Sequence, residues 1–306
     1  MAERFRYRVS PPGPYSLERT LARLSRFPES VDLYEAGLYK RLFFWRGRPL
    51  FLQARQEGPP SRAQLVIEIT GAGARSPEAK AIADGILTRV LGATTDVRPF
   101  YRSFRRDALL GPLIRRHIGL RVAGRLTVWE TLLQIVLSQQ INLKLAHAML
   151  GALAENLGRR ARIDGRTYYS FPSPRAFASE SVASLRRFRL SRAKAETLKR
   201  LAAAFESGEL SDEALRQLSD DDVLEVLTSH KGVGRWTAEF TLLRGLGRMD
   251  VFPGGDLGVV KYLAQGMLGY EGLALEKDMR KFAERWRPYR GLALIYAYAE
   301  LARRQE

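Results

Sequence analysis

Cysteine is absent from this 306-residue chain. Disulfides, thiolate zinc sites and cysteine-ligated iron–sulfur clusters are therefore excluded. Histidine is scarce, with three copies, and no His–carboxylate spacing stands out as a metal site. No uninterrupted apolar run approaches the roughly 18 residues of a membrane helix, so no membrane partner is expected. The opening Met1-Ala2-Glu3-Arg4-Phe5-Arg6 lacks the apolar core of a signal peptide, and a cytoplasmic protein is the expectation. Negative charge is also short. Against 50 Lys and Arg stand 33 Asp and Glu, a formal net charge of +17. Arginine supplies most of the excess, and its planar fork suits bidentate phosphate contacts. That balance points to a polyanionic partner, nucleic acid first; charge kept only for solubility is the plainer alternative.

What is present can fold. Hydrophobic residues make up 45% of the chain, enough for a sizeable core in one large domain or two to three smaller ones. The first hundred residues read as α/β. Strands are predicted at Phe5–Val9, Leu38–Trp45, Leu50–Ala54 and Leu65–Ile69, with a turn at Arg46-Gly47-Arg48-Pro49. Ser16-Leu17-Glu18 opens one helix, and Ser76-Pro77-Glu78 caps another that runs to about Leu91. From about residue 105 the pattern is helical, with segments near 127–137, 146–157, 181–187, 192–206, 221–228, 235–246, 259–267, 278–285 and 291–303. The expected class is α+β, with no solenoid repeat.

The stretch carrying most information is His230-Lys231-Gly232-Val233-Gly234-Arg235-Trp236-Thr237-Ala238. Glycines at 232 and 234 permit positive φ and close backbone approach. The helix that follows presents unpaired N–H groups and the positive end of its dipole, which suit a phosphate. Lys231 and Arg235 add charge, so Lys231, Gly232, Gly234 and Arg235 are candidate DNA-backbone contacts that read no base. Taken alone, Gly-x-Gly before a helix is also an ordinary helix–helix turn. A lone acid, Asp256, follows 20 residues after Trp236, in Val251-Phe252-Pro253-Gly254-Gly255-Asp256.

These two segments, then Ala283-Glu284-Arg285-Trp286-Arg287-Pro288-Tyr289-Arg290, with Leu137-Ser138-Gln139-Gln140-Ile141 upstream, resemble the AlkA-type 3-methyladenine DNA glycosylase II branch of the helix-hairpin-helix (HhH-GPD) DNA glycosylase superfamily. The resemblance covers residues 105–303. Before that, only the α/β pattern and Pro11-Pro12-Gly13-Pro14-Tyr15 are similar. The implied architecture is a small TATA-binding-protein-like α/β domain over residues 1–104. An all-α body follows over 105–306, with two helical subdomains and the active-site cleft between them. The implied partner is double-stranded DNA containing a damaged base, and the implied state is a monomer.

The resemblance gives each residue a role. Asp256 becomes the catalytic carboxylate, stabilising the positive charge that builds on deoxyribose as the N-glycosidic bond breaks, or activating water. An alkylated purine leaves as a neutral base, so one acid suffices where O-glycosidases need two. The plainer role for Asp256 is a cap on the next helix. Trp236 stands where bifunctional relatives carry a Schiff-base lysine, implying a monofunctional enzyme without lyase activity. Trp236 and Tyr298 are base-pocket candidates, Tyr298 taking the place of a stacking tryptophan; core packing is the alternative for both. Gln140 falls at the wedge that fills the gap left by the flipped nucleotide, a place where leucine is common. No cofactor is required, and a structural Na+ or K+ would bind main-chain carbonyls of Thr228, His230 and Val233. The run Arg102, Arg105, Arg106, Arg115, Arg116 and His117 either tracks phosphates or is a solvated face. Two further readings stay open: a glycosylase for hypoxanthine or another deaminated purine, and a non-catalytic DNA-structure-binding protein of the same fold.

Overall fold

The computed structural model describes residues 3–304. Five antiparallel strands come first: β1 (Arg4–Val9), β2 (Asp32–Glu35), β3 (Leu38–Trp45), β4 (Arg48–Glu57) and β5 (Gln64–Thr70), in the spatial order β1-β5-β4-β3-β2. Alternation sorts the side chains. Leu50, Leu52 and Ala54 of β4 and Leu65, Ile67 and Ile69 of β5 face the helices Leu17–Arg26 and Pro77–Arg89 in one buried core. Both helices begin as expected, Ser16 and Ser76 accepting from Arg19 N and Ala79 N.

Two differences from the expected strands have a local cause. The β3–β4 turn is Arg46-Gly47 alone, both at positive φ, so Arg48 and Pro49 belong to the strand. β2 joins β3 through a second such turn, Ala36-Gly37. Alanine at a left-handed position carries no turn signal, so β2 was not anticipated. A further hairpin, β6 (Arg160–Ile163) and β7 (Arg166–Tyr169), turns on Asp164-Gly165, a strong hairpin pair that the helical reading passed over. Its Tyr168 packs on Phe51, ring centroids 4.4 Å apart, covering the reverse face of the sheet.

The helical body has two cores. One gathers helices Val128–Ser138, Leu143–Leu157, Arg192–Ser207 and Asp220–Ser229. The other gathers Arg98–Phe104, Leu110–Arg116, Glu276–Ala283 and Arg290–Arg303. Val97, Phe100 and Phe104 thus pack with the C-terminal helices rather than with the sheet. Helix Arg235–Arg244 serves both cores, with Ala238 and Leu242 in the first and Leu243 in the second.

A buried ionic network joins the sheet to this body. Arg41 of β3 binds Asp32 Oδ1 at 3.0 Å and Glu130 Oε1 at 2.6 Å. Arg125 binds both oxygens of Glu29, at 2.5 and 2.7 Å, and also Asp32 Oδ2. Two arginines against three carboxylates, all nearly excluded from solvent, leave each charge dependent on its partners. Burial pushes the Glu29 carboxyl up, but Arg125 and His147 outweigh it and hold it well below the usual range.

Candidate functional site

The Gly-x-Gly segment forms the turn of a helix hairpin, between helices Asp220–Ser229 and Arg235–Arg244. Gly232 has φ +94°, and a Cβ there would lie 2.0 Å from Thr197 Oγ1, so both conformation and space demand glycine. Gly234 differs from expectation. Its backbone is extended, at φ −91° and ψ 173°, and nothing lies within 4 Å of an added Cβ. A helix start with no side-chain cap leaves the first N–H groups of helix Arg235–Arg244 without a side-chain partner. Lys231 is exposed. Arg235 is 64% exposed although its Nε donates to Glu239 Oε1 at 2.9 Å. The turn is closed by Val233 N donating to the His230 carbonyl at 3.0 Å.

Neighbours brace this turn from behind. Arg200 Nη2 donates to the Lys231 carbonyl at 3.0 Å. Gln139 Nε2 donates to Thr237 Oγ1 at 2.9 Å and to the Gly232 carbonyl at 3.2 Å. Gln139, to which no role was assigned, therefore ties the end of helix Val128–Ser138 to the hairpin. Gln140, next to it, is exposed and left-handed, with φ +56°. A non-glycine residue held in that region at a loop tip is strained.

Asp256 sits where the two helical cores meet. Trp236 Nε1 donates to its Oδ1 at 2.7 Å, and the Tyr298 hydroxyl donates to its Oδ2 at 2.5 Å. Gly258 N also donates to Oδ2, at 2.8 Å, and Val259 N donates to the Asp256 carbonyl at 2.8 Å. The acid is therefore both a cap for the following turn and a carboxylate held by two aromatic donors. Burial first, then the charge of Asp256, pushes the Tyr298 hydroxyl far above its ordinary pKa, so it remains a donor. Trp236 packs edge-on against Phe240, one helical turn on, with centroids 5.1 Å apart.

The motif 283–290 supports this arrangement from outside. Trp286 is fully buried. Arg290 Nε donates to Asp250 Oδ1 at 2.9 Å, and Gly291 N donates to the Met249 carbonyl at 2.8 Å. These bonds anchor the segment entering Asp256 to the start of the helix that carries Tyr298.

Residues 133–288, half of the chain, match the HhH-GPD superfamily base excision DNA repair proteins. The chain belongs to the HhH-GPD superfamily. It is 29% identical over 206 residues to the DNA-3-methyladenine glycosylase of Bacillus subtilis, covering 67% of this chain and 68% of that one. It is 29% identical over 192 residues to DNA-3-methyladenine glycosylase 2 of Escherichia coli, covering 63% and 64%. Among solved structures, the 3-methyladenine DNA glycosylase of Archaeoglobus fulgidus superposes with a TM-score of 0.83 at 27% identity, over 97% of this chain and 98% of that one. The mixed fold, a five-stranded N-terminal sheet followed by a helical body, is that of these HhH-GPD relatives.

Two expectations change within this HhH-GPD frame. His117 does not track phosphate. It is buried, with Nε2 3.1 Å from Glu300 Oε2, while Arg116 donates to Glu300 Oε1 at 2.7 Å. Arg102, Arg105, Arg106 and Arg115 are exposed. The other change is two unanticipated arginines whose basicity burial depresses. Arg244 lies two turns along the helix from Trp236, and burial pushes its guanidinium down to about 10 against the opposing pull of the Asp256 carboxylate. Burial, then Arg244 and Arg125, pushes Arg23 down to about 9. No periodicity or spacing marks either one, because their positions depend on packing between segments far apart in sequence.

Proposed function

We propose that the protein is a monofunctional DNA glycosylase of base excision repair, flipping a damaged purine from duplex DNA and hydrolysing its N-glycosidic bond. The observation that carries this reading is Asp256 held by Trp236 and Tyr298 beside a DNA-gripping hairpin. The hairpin N–H groups, Lys231 and Arg235 hold the backbone. Gln140 projects into the gap left by the flipped nucleotide. The base enters against Trp236 and Tyr298, whose rings supply stacking surface. Asp256, already oriented by its donors, faces the sugar and stabilises the oxocarbenium-like transition state without reorganising. Water adds at C1′ and an abasic site remains. A tryptophan at 236, where a lysine would form a Schiff base, supports hydrolysis without strand cleavage.

The proposed cation is Na+ or K+. The main-chain carbonyls of Thr228, His230 and Val233 are neutral oxygen donors suited to such an ion, and the His230 carbonyl keeps a second lone pair beside its bond from Val233. Bound there, it would steady the hairpin turn.

The test is base release from duplexes carrying single lesions, read before and after alkaline cleavage, with Asp256→Asn in parallel. Strand breaks seen only after alkali, reduced by at least about a hundredfold in the variant with DNA binding kept, are the expected result. Binding without release from any lesion would instead favour a non-catalytic DNA reader.

A further inference from the structure

Arg280 is the junction of a polar chain that runs from the hairpin to the segment carrying Asp256. It lies on helix Glu276–Ala283. Its Nη2 donates to Glu239 Oε2 at 3.0 Å, its Nη1 to the Phe252 carbonyl at 2.8 Å and its Nε to Glu276 Oε1 at 2.8 Å. Glu239 is buried, and its Oε1 accepts from Arg235 Nε at 2.9 Å. Arg235 therefore spends one donor inward. Its two Nη groups make no further bond among the described residues, and paired N–H groups of this kind suit a phosphate.

From Phe252 the main chain leads directly to the acid. The Phe252 carbonyl also accepts from Gly254 N at 2.7 Å, and Asp256 N donates to the Pro253 carbonyl at 3.1 Å. The two glycines lie flat on the Arg280–Glu276 pair. A Cβ at Gly254 would stand 2.7 Å from Arg280 Cγ, and one at Gly255 would stand 2.7 Å from Glu276 Oε2. Arg280 is fixed by three acceptors, so its side chain cannot swing aside to admit one. The Gly254-Gly255 pair before the acid, to which neither the hairpin nor the carboxylate assigns a purpose, is thus fitted to Arg280.

We infer that Glu239 and Arg280 are positioning residues that couple phosphate capture at Arg235 to the placement of Asp256 at the sugar. This rests on the glycosylase reading above. Neither residue touches the reacting atoms. Glu239 holds Arg235 by Nε and leaves the rest of its fork for the DNA backbone. A phosphate on that fork fixes the guanidinium, and Glu239 shares the constraint with Arg280. Arg280 in turn holds the Phe252–Asp256 segment by its main chain. Asp256 then meets the developing charge without reorganising. A reacting group misplaced by about 1 Å costs on the order of a hundredfold in rate, so a small shift of this segment is enough to matter.

Coupling of this kind is a non-additivity, which a double-mutant cycle measures. Single-turnover release at saturating enzyme is followed on duplexes carrying 3-methyladenine, 7-methylguanine or hypoxanthine. The chains compared are wild type, Arg235→Ala, Arg280→Met and the double variant, with duplex affinity from anisotropy and folding from thermal denaturation. Arg280→Met is expected to slow release about tenfold or more while affinity stays within about twofold, and Arg280→Lys to recover part of the rate. Arg235→Ala is expected to weaken affinity and slow release about tenfold in the wild-type chain, but to weaken affinity alone in the Arg280→Met background. If Arg280→Met fails to fold, Glu239→Gln, which keeps the size and removes the charge, takes its place in the cycle with the same expectation. Equal slowing by Arg235→Ala in both backgrounds, or in neither, overturns this inference and leaves the glycosylase reading standing. Release of no lesion by the wild-type chain overturns both.

Discussion

Tyr298 reaches from the last helix to donate its hydroxyl to Asp256 at 2.5 Å. The ring proposed to stack on a base is also a support for the acid. Tyr298→Phe keeps the π-face and removes the donor. A hydrogen bond to a charged group contributes about 1.5–3 kcal/mol, so the chemical step is expected to slow about ten- to a hundredfold. Single-turnover rates and DNA affinity together check this. A loss confined to affinity would mean that Tyr298 only binds the base.

Gln140 gives a prediction in which stability and activity part. Its left-handed backbone costs roughly 1 kcal/mol for a side chain and little for glycine. Gln140→Gly is therefore expected to melt slightly higher than wild type while releasing bases more slowly, through loss of the wedge. Thermal melts and lesion kinetics on one preparation suffice. Unimpaired release would remove Gln140 from the DNA interface.

The proposed hairpin grip reads no base. Lys231→Ala with Arg235→Ala is expected to weaken binding to damaged and undamaged duplexes alike. The slope of log affinity against log salt should fall by about 1 to 2. Fluorescence anisotropy across a salt series measures it, and an unchanged slope would place the phosphate contacts elsewhere.

Two histidines set a pH dependence. Burial first lowers the pKa of both His147 and His117, despite the neighbouring Glu29 and Glu300. His147 accepts from Arg23 Nε at Nε2, which requires a neutral ring with its proton on Nδ1, 3.0 Å from Glu29. With folded pKa values below the unfolded one, the unfolded state takes up protons first. Stability is full above about pH 6.5 and declines as pH falls from there through the folded values. The melting temperature is expected to drop between pH 7.5 and 5.5, and His147→Gln to flatten that fall. A slope that the substitution does not alter would assign the effect to other groups.

Much of this was legible beforehand where the signal is local. Ser16 and Ser76 cap their helices by their own side chains, and the strands of the sheet alternate as their sequences do. β2 escaped because Ala36 occupies a left-handed position that alanine does not announce. Arg105 and Arg115 meet solvent, whereas His117, in the same basic run, turns inward to Glu300, a carboxylate brought there by the last helix.

By itself the sequence determined the excess of positive charge, the absence of thiol chemistry, the Gly232 turn and a lone acid 20 residues beyond Trp236. These are local or compositional properties, carried by residue type and spacing. Only the tertiary structure decided that Trp236 and Tyr298 hold opposite oxygens of Asp256, and that His117 turns inward to Glu300. Those relationships join segments far apart in the chain. They exist because separate helices pack into shared cores, and long-range packing leaves no periodic mark on the residues it brings together.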